Sequence, residues 1–358
     1  MKSNIDEARD LIDKLYSTDN RPWAVGYSGG KDSTLVLQLI CEVAKKYNWK
    51  NPVFVMYNKT GLEVDGSLDG LDTQLKSMAR IGITTFYNYP RQGDSFWELV
   101  CGRGFPAPSR RLRFCTSYLK LDPWRRRIVQ VAKDSTAKGV IDVKGTRKEE
   151  STGRLKRLEK EGAPYRLTRF RKQLNIELFS PVANVKTNEL WSYLEDLHTF
   201  EWGRTVDELK ERYVHKQARD GCWICPLCTK EDEIRYRCNE SQIRVRKFFF
   251  ALSEDVNKRN LCTSDRQREL VSEGTASGRF TLEARKELFD FIMNEQEKTG
   301  YIYIKPEEIA YIKTCWEGYD WEEIAMQAAK ERELRESLGL IFDTSKLKKE
   351  SKDKEDEE

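Results

Sequence analysis

The chain contains only two histidines, His198 and His215, in 358 residues. Any metal centre must therefore be built mainly from thiolates or carboxylates rather than imidazoles. No apolar run approaches the ~18 residues that a membrane-spanning helix needs. The opening segment, MKSNIDEARDLIDKLY, is charged and amphipathic and lacks the apolar stretch of a signal peptide, so the expected location is cytoplasmic. No internal repeat is present, which excludes a solenoid. The GxxxxGK[ST] loop of γ-phosphate transfer is also missing. A net charge of only +4 points to no partner by itself.

Hydrophobic residues make up 39% of the sequence, enough for a real core, and charged residues 34%, so the surface is heavily ionic. The length suits one large domain, or a core with a helical appendage. Charge is unevenly spread. Arg103–Arg127 carries eight Arg and Lys against one acidic residue, Asp122, and Lys144–Lys172 carries eleven against four. Two basic stretches in one half of the chain suit a polyanionic partner; a solvated or ATP-facing surface is the plainer alternative.

Ile5, Ala8, Leu11, Ile12 and Leu15 fall at helical spacing and predict a helix over 4–18. Short apolar runs predict strands at 23–27, 52–57, 83–87 and 140–143, with a further extended piece at 177–180. Helices are expected at 33–46, 68–81, 116–133 and 187–197, the last opened by Thr187. Strands alternating with helices imply an α/β fold with a parallel sheet. Beyond the cysteines at 222–228 the pattern is helical only, over about 231–257, 281–299 and 306–338. Pro306, Glu307 and Glu308 form a good helix start. The residues from 346 onward are almost wholly polar and are expected to be disordered. The domain expectation is a nucleotide-binding core over 1–200, a cysteine-bearing helical region over 201–345 and a charged tail over 346–358.

Between the first strand and its helix stands Ser28-Gly29-Gly30-Lys31-Asp32-Ser33. The glycines let the backbone approach an anion closely, and the helix start offers free N–H groups and a positive dipole end. Ser28 and Ser33 can donate hydroxyl hydrogen bonds, and Lys31 can neutralise charge. This hexapeptide resembles the PP-loop of the ATP pyrophosphatases, which cleave ATP between the α- and β-phosphates. The resemblance implies a doubly wound, mainly parallel sheet of the adenine nucleotide α-hydrolase type. It also implies that Ser28, Gly29, Gly30, Lys31, Asp32 and Ser33 hold the pyrophosphate of ATP and its Mg²⁺.

Further segments narrow the branch. Gly145-Thr-Arg147-Lys-Glu-Glu-Ser151 followed by Arg154 resembles the GxRxxES…R signature of the phosphoadenosine phosphosulfate reductase family, which implies phosphate binding by Gly145 and Arg147. Phe179-Ser-Pro-Val182 and Thr187–Leu194 resemble another segment of that family, with Val185 in place of its first Trp. Arg21-Pro-Trp23, Asp94-Ser-Phe-Trp97, Gly104-Phe-Pro-Ala-Pro108, Arg113-Phe-Cys-Thr116 and Gly221-Cys-Trp-Ile-Cys225 are similar to the sulfurtransferase-like proteins of DNA phosphorothioation, DndC and SspD. The likeness spans roughly residues 10–230. Two departures stand out. Asn58-Lys59-Thr60-Gly61 lacks the acidic residue of the usual Asp-Thr-Gly, and there is no C-terminal Glu-Cys-Gly-Leu-His, the motif of thioredoxin-dependent sulfonucleotide reductases.

Cys222, Cys225 and Cys228 are spaced by three, as in loops that aim successive thiolates at one metal centre. A [4Fe–4S] cluster wants a fourth thiolate. Cys115, among basic residues that would lower its pKa, is the first choice and Cys238 the rival. Zinc is the rival metal, with His215 an optional ligand. Cys41, Cys101, Cys262 and Cys315 are isolated and are expected to be packing residues.

These resemblances together imply an enzyme that releases pyrophosphate from ATP and adenylates a DNA backbone phosphate for replacement of oxygen by sulfur. Lys31, Asp32 and Arg147 would be catalytic, and the implied partners are DNA, a cysteine desulfurase as sulfur donor and other phosphorothioation proteins. The alternatives are tRNA thiolation, sulfonucleotide reduction, or a non-catalytic DNA-binding subunit on an ATP-binding fold.

Overall fold

The computed structural model describes residues 2–64, 67–109, 112–160, 162, 165–167, 174–211, 213, 222–228, 231–258 and 279–317. The predicted tail over 346–358, the continuation of the last helix beyond 317, and Arg110, Arg111, His215 and Cys262 lie outside the described residues. The chain divides into two compact units, one made of residues 1–89 and 123–239, the other of 90–122 and 240–358. The boundary therefore does not fall at residue 200. Residues 201–239, cysteines included, belong with the sheet, whereas 90–122 belongs with the C-terminal helices.

The first unit is built on a six-stranded sheet. Its strands are β1 (Trp23–Gly26), β2 (Val53–Asn58), β3 (Thr84–Asn88), β4 (Gly139–Val143), β5 (Tyr165–Leu167) and β6 (Asn175–Phe179). Their spatial order is β3-β2-β1-β4-β6-β5. All neighbours pair in parallel except β5 with β6. β5 is an edge strand inside the stretch that reads from sequence only as basic and polar.

Both faces of the parallel strands are covered, which is why they are apolar in near-continuous runs. Trp23, Val25, Val53, Val55, Ile141, Val143 and Phe179 share one core with α1 (Asn4–Thr18), α2 (Lys31–Lys46), α3 (Ser67–Arg80) and, past α4 (Asp122–Asp134) and α5 (Thr152–Lys160), α6 (Thr187–Leu197). Ala24, Met56, Val140 and Ile176 alternate to the other face, against Trp124, Ile128 and Ala132 of α4. The fold is thus doubly wound α/β, as the sequence implied.

The helix starts follow local chemistry. The Ser3 side chain accepts from the Asp6 amide at the head of α1. Asp32 stands in the first turn of α2, with Lys45 and Lys46 in its last, each sign matching the helix dipole. The helix expected over 116–133 is present over 114–134, opening with an α-helical piece at Phe114–Thr116 and a π-helical turn at Ser117–Leu121 before α4, where Pro123 supplies no amide. Short α7 (Val206–Glu211) and α8 (Glu231–Arg237) complete the unit.

In the second unit α9 (Glu240–Lys258), α10 (Leu282–Thr299) and α11 (Pro306–Glu317) pack with a π-helical turn at Glu98–Gly102. The helix expected over 231–257 is in fact two helices, α8 and α9, broken at Cys238–Asn239. Phe96, Trp97, Phe249 and Phe280 form the aromatic centre of this unit. Arg285 is fully buried there; its guanidinium donates to the carbonyls of Gly102 and Phe280. Of the described helices, none is long and apolar enough to cross a membrane.

Candidate phosphate-binding site

The strand order reverses about β1, with β2 on one side and β4 on the other. In open α/β sheets the crevice at the carboxyl ends of such strands is where ligands bind. The loop after β1 and the loop after β4 both end there. The first is the Ser28–Ser33 hexapeptide. Gly29 has φ +74, a conformation that L side chains rarely adopt, and Gly30 caps α2. Ser33 Oγ donates to the Gly30 carbonyl at 2.9 Å and accepts from the Ser28 amide at 3.2 Å. The hydroxyl therefore ties the loop into a ring.

The loop after β4 comes close. A Cβ on Gly145 would lie 2.7 Å from the Asp32 carbonyl oxygen, so only glycine allows this approach. Two residues on, Arg147 is 2% exposed. Its Nε donates to Asp32 Oδ1 at 2.5 Å, and Nη1 donates to the Val185 carbonyl at 3.0 Å and to Thr187 Oγ1 at 3.2 Å. Glu149 completes the tie, accepting from Arg147 and from the amide and hydroxyl of Thr187. Those Thr187 bonds hold the Glu149 carboxyl below its ordinary pKa. Asp32 also pairs with Lys31 Nζ at 2.9 Å. Arg147 thus meets the loop through Asp32, and the structure brings Gly145, Asp32 and Lys31 together.

Two side chains that no sequence motif flags also hold this loop. Arg204, 4% exposed, donates from Nη1 to the Gly29 carbonyl at 2.8 Å. The Tyr213 hydroxyl accepts from the Lys31 amide at 2.9 Å, while Lys31 Nζ stands 5.3 Å from the centre of the Tyr213 ring. Both lie between the motif-like segments at 187–194 and 221–225, and nothing in their spacing distinguishes them from surface residues.

A third group sits at the end of β4. Lys144 Nζ pairs with Asp142 at 2.8 Å and lies 3.4 Å from the Trp124 ring centre. Burial pushes the Lys144 pKa down, against the opposing pull of Asp142. Trp124 Nε1 donates to the other Asp142 oxygen at 3.3 Å.

After β2, Asn58 takes the place of the missing acid, and its side-chain oxygen accepts from Asn88 Nδ2. Glu63 supplies a carboxylate nearby but turns it inward, accepting from the Thr60 and Gly61 amides at 2.6 and 3.0 Å. The cysteine segment docks on this loop. The Trp223 amide donates to the Leu62 carbonyl at 3.0 Å, and Cys222 Sγ lies 3.9 Å from Thr60 Oγ1. Cys225 and Cys228 follow on successive turns, their amides bonding to the Cys222 and Cys225 carbonyls. The Cys238 thiol donates to the Trp223 carbonyl at 3.4 Å. Cys115 is half-buried in the other unit. Among the described residues no three His, Cys, Asp or Glu side chains gather into a group able to hold a metal ion. Cys222, Cys225 and Cys228 suit a soft metal in kind. Cys41 and Cys101 are buried, their thiol pKa values raised by desolvation, as packing residues require.

The site so far is an anion-binding loop at the switch point of a doubly wound sheet. Residues 22–200 match the phosphoadenosine phosphosulfate reductase domain family, half of the chain, and the chain belongs to that family. An uncharacterized protein of Methanocaldococcus jannaschii is 29% identical over 218 residues, which are 60% of this chain and 38% of that protein; the chain therefore spans well under half of that relative's length. Among solved structures, phosphoadenylyl-sulfate reductase from Candida auris is 14% identical with a TM-score of 0.39, over 63% of this chain and 90% of that one. The U34-tRNA thiolase NcsA from Methanococcus maripaludis, described with its [4Fe-4S] cluster, is 15% identical with a TM-score of 0.34, over 84% and 80%. The NH3-dependent NAD synthetase of Campylobacter jejuni is 14% identical with a TM-score of 0.33, over 84% and 95%.

Proposed function

We propose that this chain is an ATP pyrophosphatase that adenylates a backbone phosphate of DNA so that sulfur can replace one of its oxygens. The observation that carries the first half is the Ser28–Ser33 ring at the switch point, with the start of α2 facing the crevice. The first-turn amides of α2 and the Lys31 ammonium suit a pyrophosphate leaving group. Mg²⁺ bound with ATP would neutralise charge on the phosphate oxygens, and Asp32 is the loop's own carboxylate for it.

A non-bridging oxygen of the DNA phosphate attacks the α-phosphorus of ATP. The bond from that phosphorus to the bridging oxygen breaks, and pyrophosphate leaves on the loop. The terminal sulfur of a desulfurase-derived persulfide then attacks the DNA phosphorus and the bond to AMP breaks; a second thiol cleaves the resulting S–S bond, forming a disulfide with the carrier cysteine, and a phosphorothioate remains. Charge grows on the leaving pyrophosphate in the first step, so Lys31 and the α2 amides act there. Arg147, buried behind Asp32, orients that carboxylate. The DNA half rests on the basic stretches and on the likeness to phosphorothioation proteins.

Cys222, Cys225 and Cys228, with Cys115, are the proposed thiolate ligands of an iron–sulfur centre, with zinc as rival. The family match favours one second reading, reduction of an activated sulfate, in which two electrons from a dithiol, oxidised to a disulfide, would convert phosphoadenosine phosphosulfate to sulfite and adenosine 3′,5′-bisphosphate.

Product analysis separates the readings. ATP with DNA should yield AMP and pyrophosphate, and Ser33→Ala should remove most of that yield in a folded protein. ADP as the main product would sink the pyrophosphatase reading. Release with RNA but not DNA moves the substrate to RNA, and sulfite release moves the chain to sulfonucleotide reduction. DNA binding should weaken steeply with salt, because Lys and Arg contacts to phosphate release counterions.

A further inference from the structure

Arg204 carries a charge with no counter-charge. The residue is 4% exposed, and no carboxylate among the described residues pairs with it. Its three neighbours are neutral: the Gly29 carbonyl at 2.8 Å, the Glu208 backbone carbonyl at 3.4 Å and the Tyr27 hydroxyl at 3.5 Å. Its Nε is buried with no hydrogen-bond partner at all. A buried guanidinium is normally matched by an anion, because desolvating an unmatched charge is costly. Arg285, also buried and donating to backbone carbonyls, leaves no such orphan donor among the described residues.

Arg204 stands against the phosphate loop. It grips the carbonyl of Gly29, the residue at φ +74 on which the loop turns. In a trans peptide the carbonyl and the next N–H point in opposite directions. Holding the Gly29 carbonyl toward Arg204 therefore turns the Gly30 N–H to the opposite side, where its partner among the described residues is Ser28 Oγ, in a long bond at 3.4 Å that an anion oxygen would displace. Release of that carbonyl would let the Gly29–Gly30 peptide rotate, since glycine resists neither orientation.

We propose that Arg204 is a positioning residue of the phosphate loop: it locks the Gly29–Gly30 peptide with the Gly30 N–H presented to the anion, and its unmatched charge is balanced when pyrophosphate occupies the loop. This rests on the reading of the loop as a pyrophosphate site. It also extends the functional unit past residue 200, where the family-matched region ends.

The test is calorimetric titration of the full-length protein with inorganic pyrophosphate and Mg²⁺, alongside thermal unfolding without ligand. Arg204→Met removes charge and donor and should weaken pyrophosphate binding roughly 10- to 100-fold, the range for a hydrogen bond to a charged group. Arg204→Lys keeps the charge and one donor and should recover most of that loss. Arg204→Gln keeps a donor without charge and should fall between; it carries the test if the methionine variant does not fold. A purely structural arginine would lower the unfolding temperature yet leave the dissociation constant of the folded variants at the wild-type value, and that result overturns the proposal. If the wild-type protein binds pyrophosphate no better than Ser33→Ala does, the loop reading itself fails and this inference fails with it.

Discussion

Arg147 and Asp32 are 115 residues apart in sequence, yet Nε of one meets Oδ1 of the other at 2.5 Å. The pair joins the loop after β4 to the first turn of α2, so the anion-binding loop is held from outside itself. Arg147 is 2% exposed, and its remaining donors reach Val185 and Thr187 at the head of α6. Asp32 keeps Lys31 as a second cation at 2.9 Å, so Arg147→Met loses the buried donors to Asp32, Val185 and Thr187 without leaving a bare carboxylate. It should cost ~1.5–3 kcal/mol of stability, read by urea unfolding. Asp32→Asn should cost less in the Arg147→Met background than alone, because their pairing is already gone. Strict additivity of the two changes would show that the pair contributes nothing.

The Tyr213 hydroxyl occupies an amide that a phosphate oxygen would use, that of Lys31. Tyr213→Phe keeps the ring beneath the Lys31 ammonium and against Trp191, and frees the amide. Pyrophosphate should then bind roughly 3- to 10-fold more tightly, the net worth of one neutral hydrogen bond. Weaker binding in a folded variant would mean that the hydroxyl assists the anion rather than competing with it.

Metal content separates the roles of the cysteines. In anaerobically purified protein, Ser at 115, 222, 225 or 228 should each lower iron, whereas Ser at 41 or 315 should not. The Cys238 thiol is a hydrogen-bond donor to the Trp223 carbonyl, so Cys238→Ser should retain iron. Loss of iron there, with full iron in Cys115→Ser, would move the fourth ligand to Cys238. One stoichiometric zinc in colourless protein would replace the cluster altogether.

Lys144 should be the unusual amine of the chain. Burial favours its neutral form and moves its pKa below that of an ordinary lysine, although Asp142 pulls the other way. As pH rises, Lys144 therefore loses its proton before exposed lysines do. Its acylation, followed by peptide mass spectrometry, should set in at lower pH than that of a lysine in an unstructured model peptide, and Asp142→Asn should shift the onset lower still. Onset at the same pH as exposed lysines would mean that Asp142 holds the ammonium form in place.

Most of the sheet was legible before folding was considered. β1–β4 are short runs of four to six residues rich in apolar and β-branched side chains, and α1 and α6 show their period in the sequence itself, although α6 is capped by Lys186 and has Thr187 as its first residue rather than its cap. What escaped were elements whose pairing is not local. β5 has only three residues and exists because β6 offers an edge to pair with. The break between α8 and α9 is likewise hidden, because Cys238 turns inward to a carbonyl fifteen residues away.

The site divides along the same line. Ser28–Ser33 is contiguous, so local backbone rules were enough to assign a glycine turn, a helix start and an anion-facing amide set from the sequence. The residues that hold that loop are distant from it: Arg147 lies 115 positions away, Arg204 175 and Tyr213 182. Whether a guanidinium is buried, and whether it meets a carboxylate or a glycine carbonyl, depends on long-range packing and on the low dielectric that packing creates. A sequence motif states which groups are available; only the tertiary structure decided that Arg147 is neutralised by Asp32 while Arg204, equally buried, waits without a counter-charge.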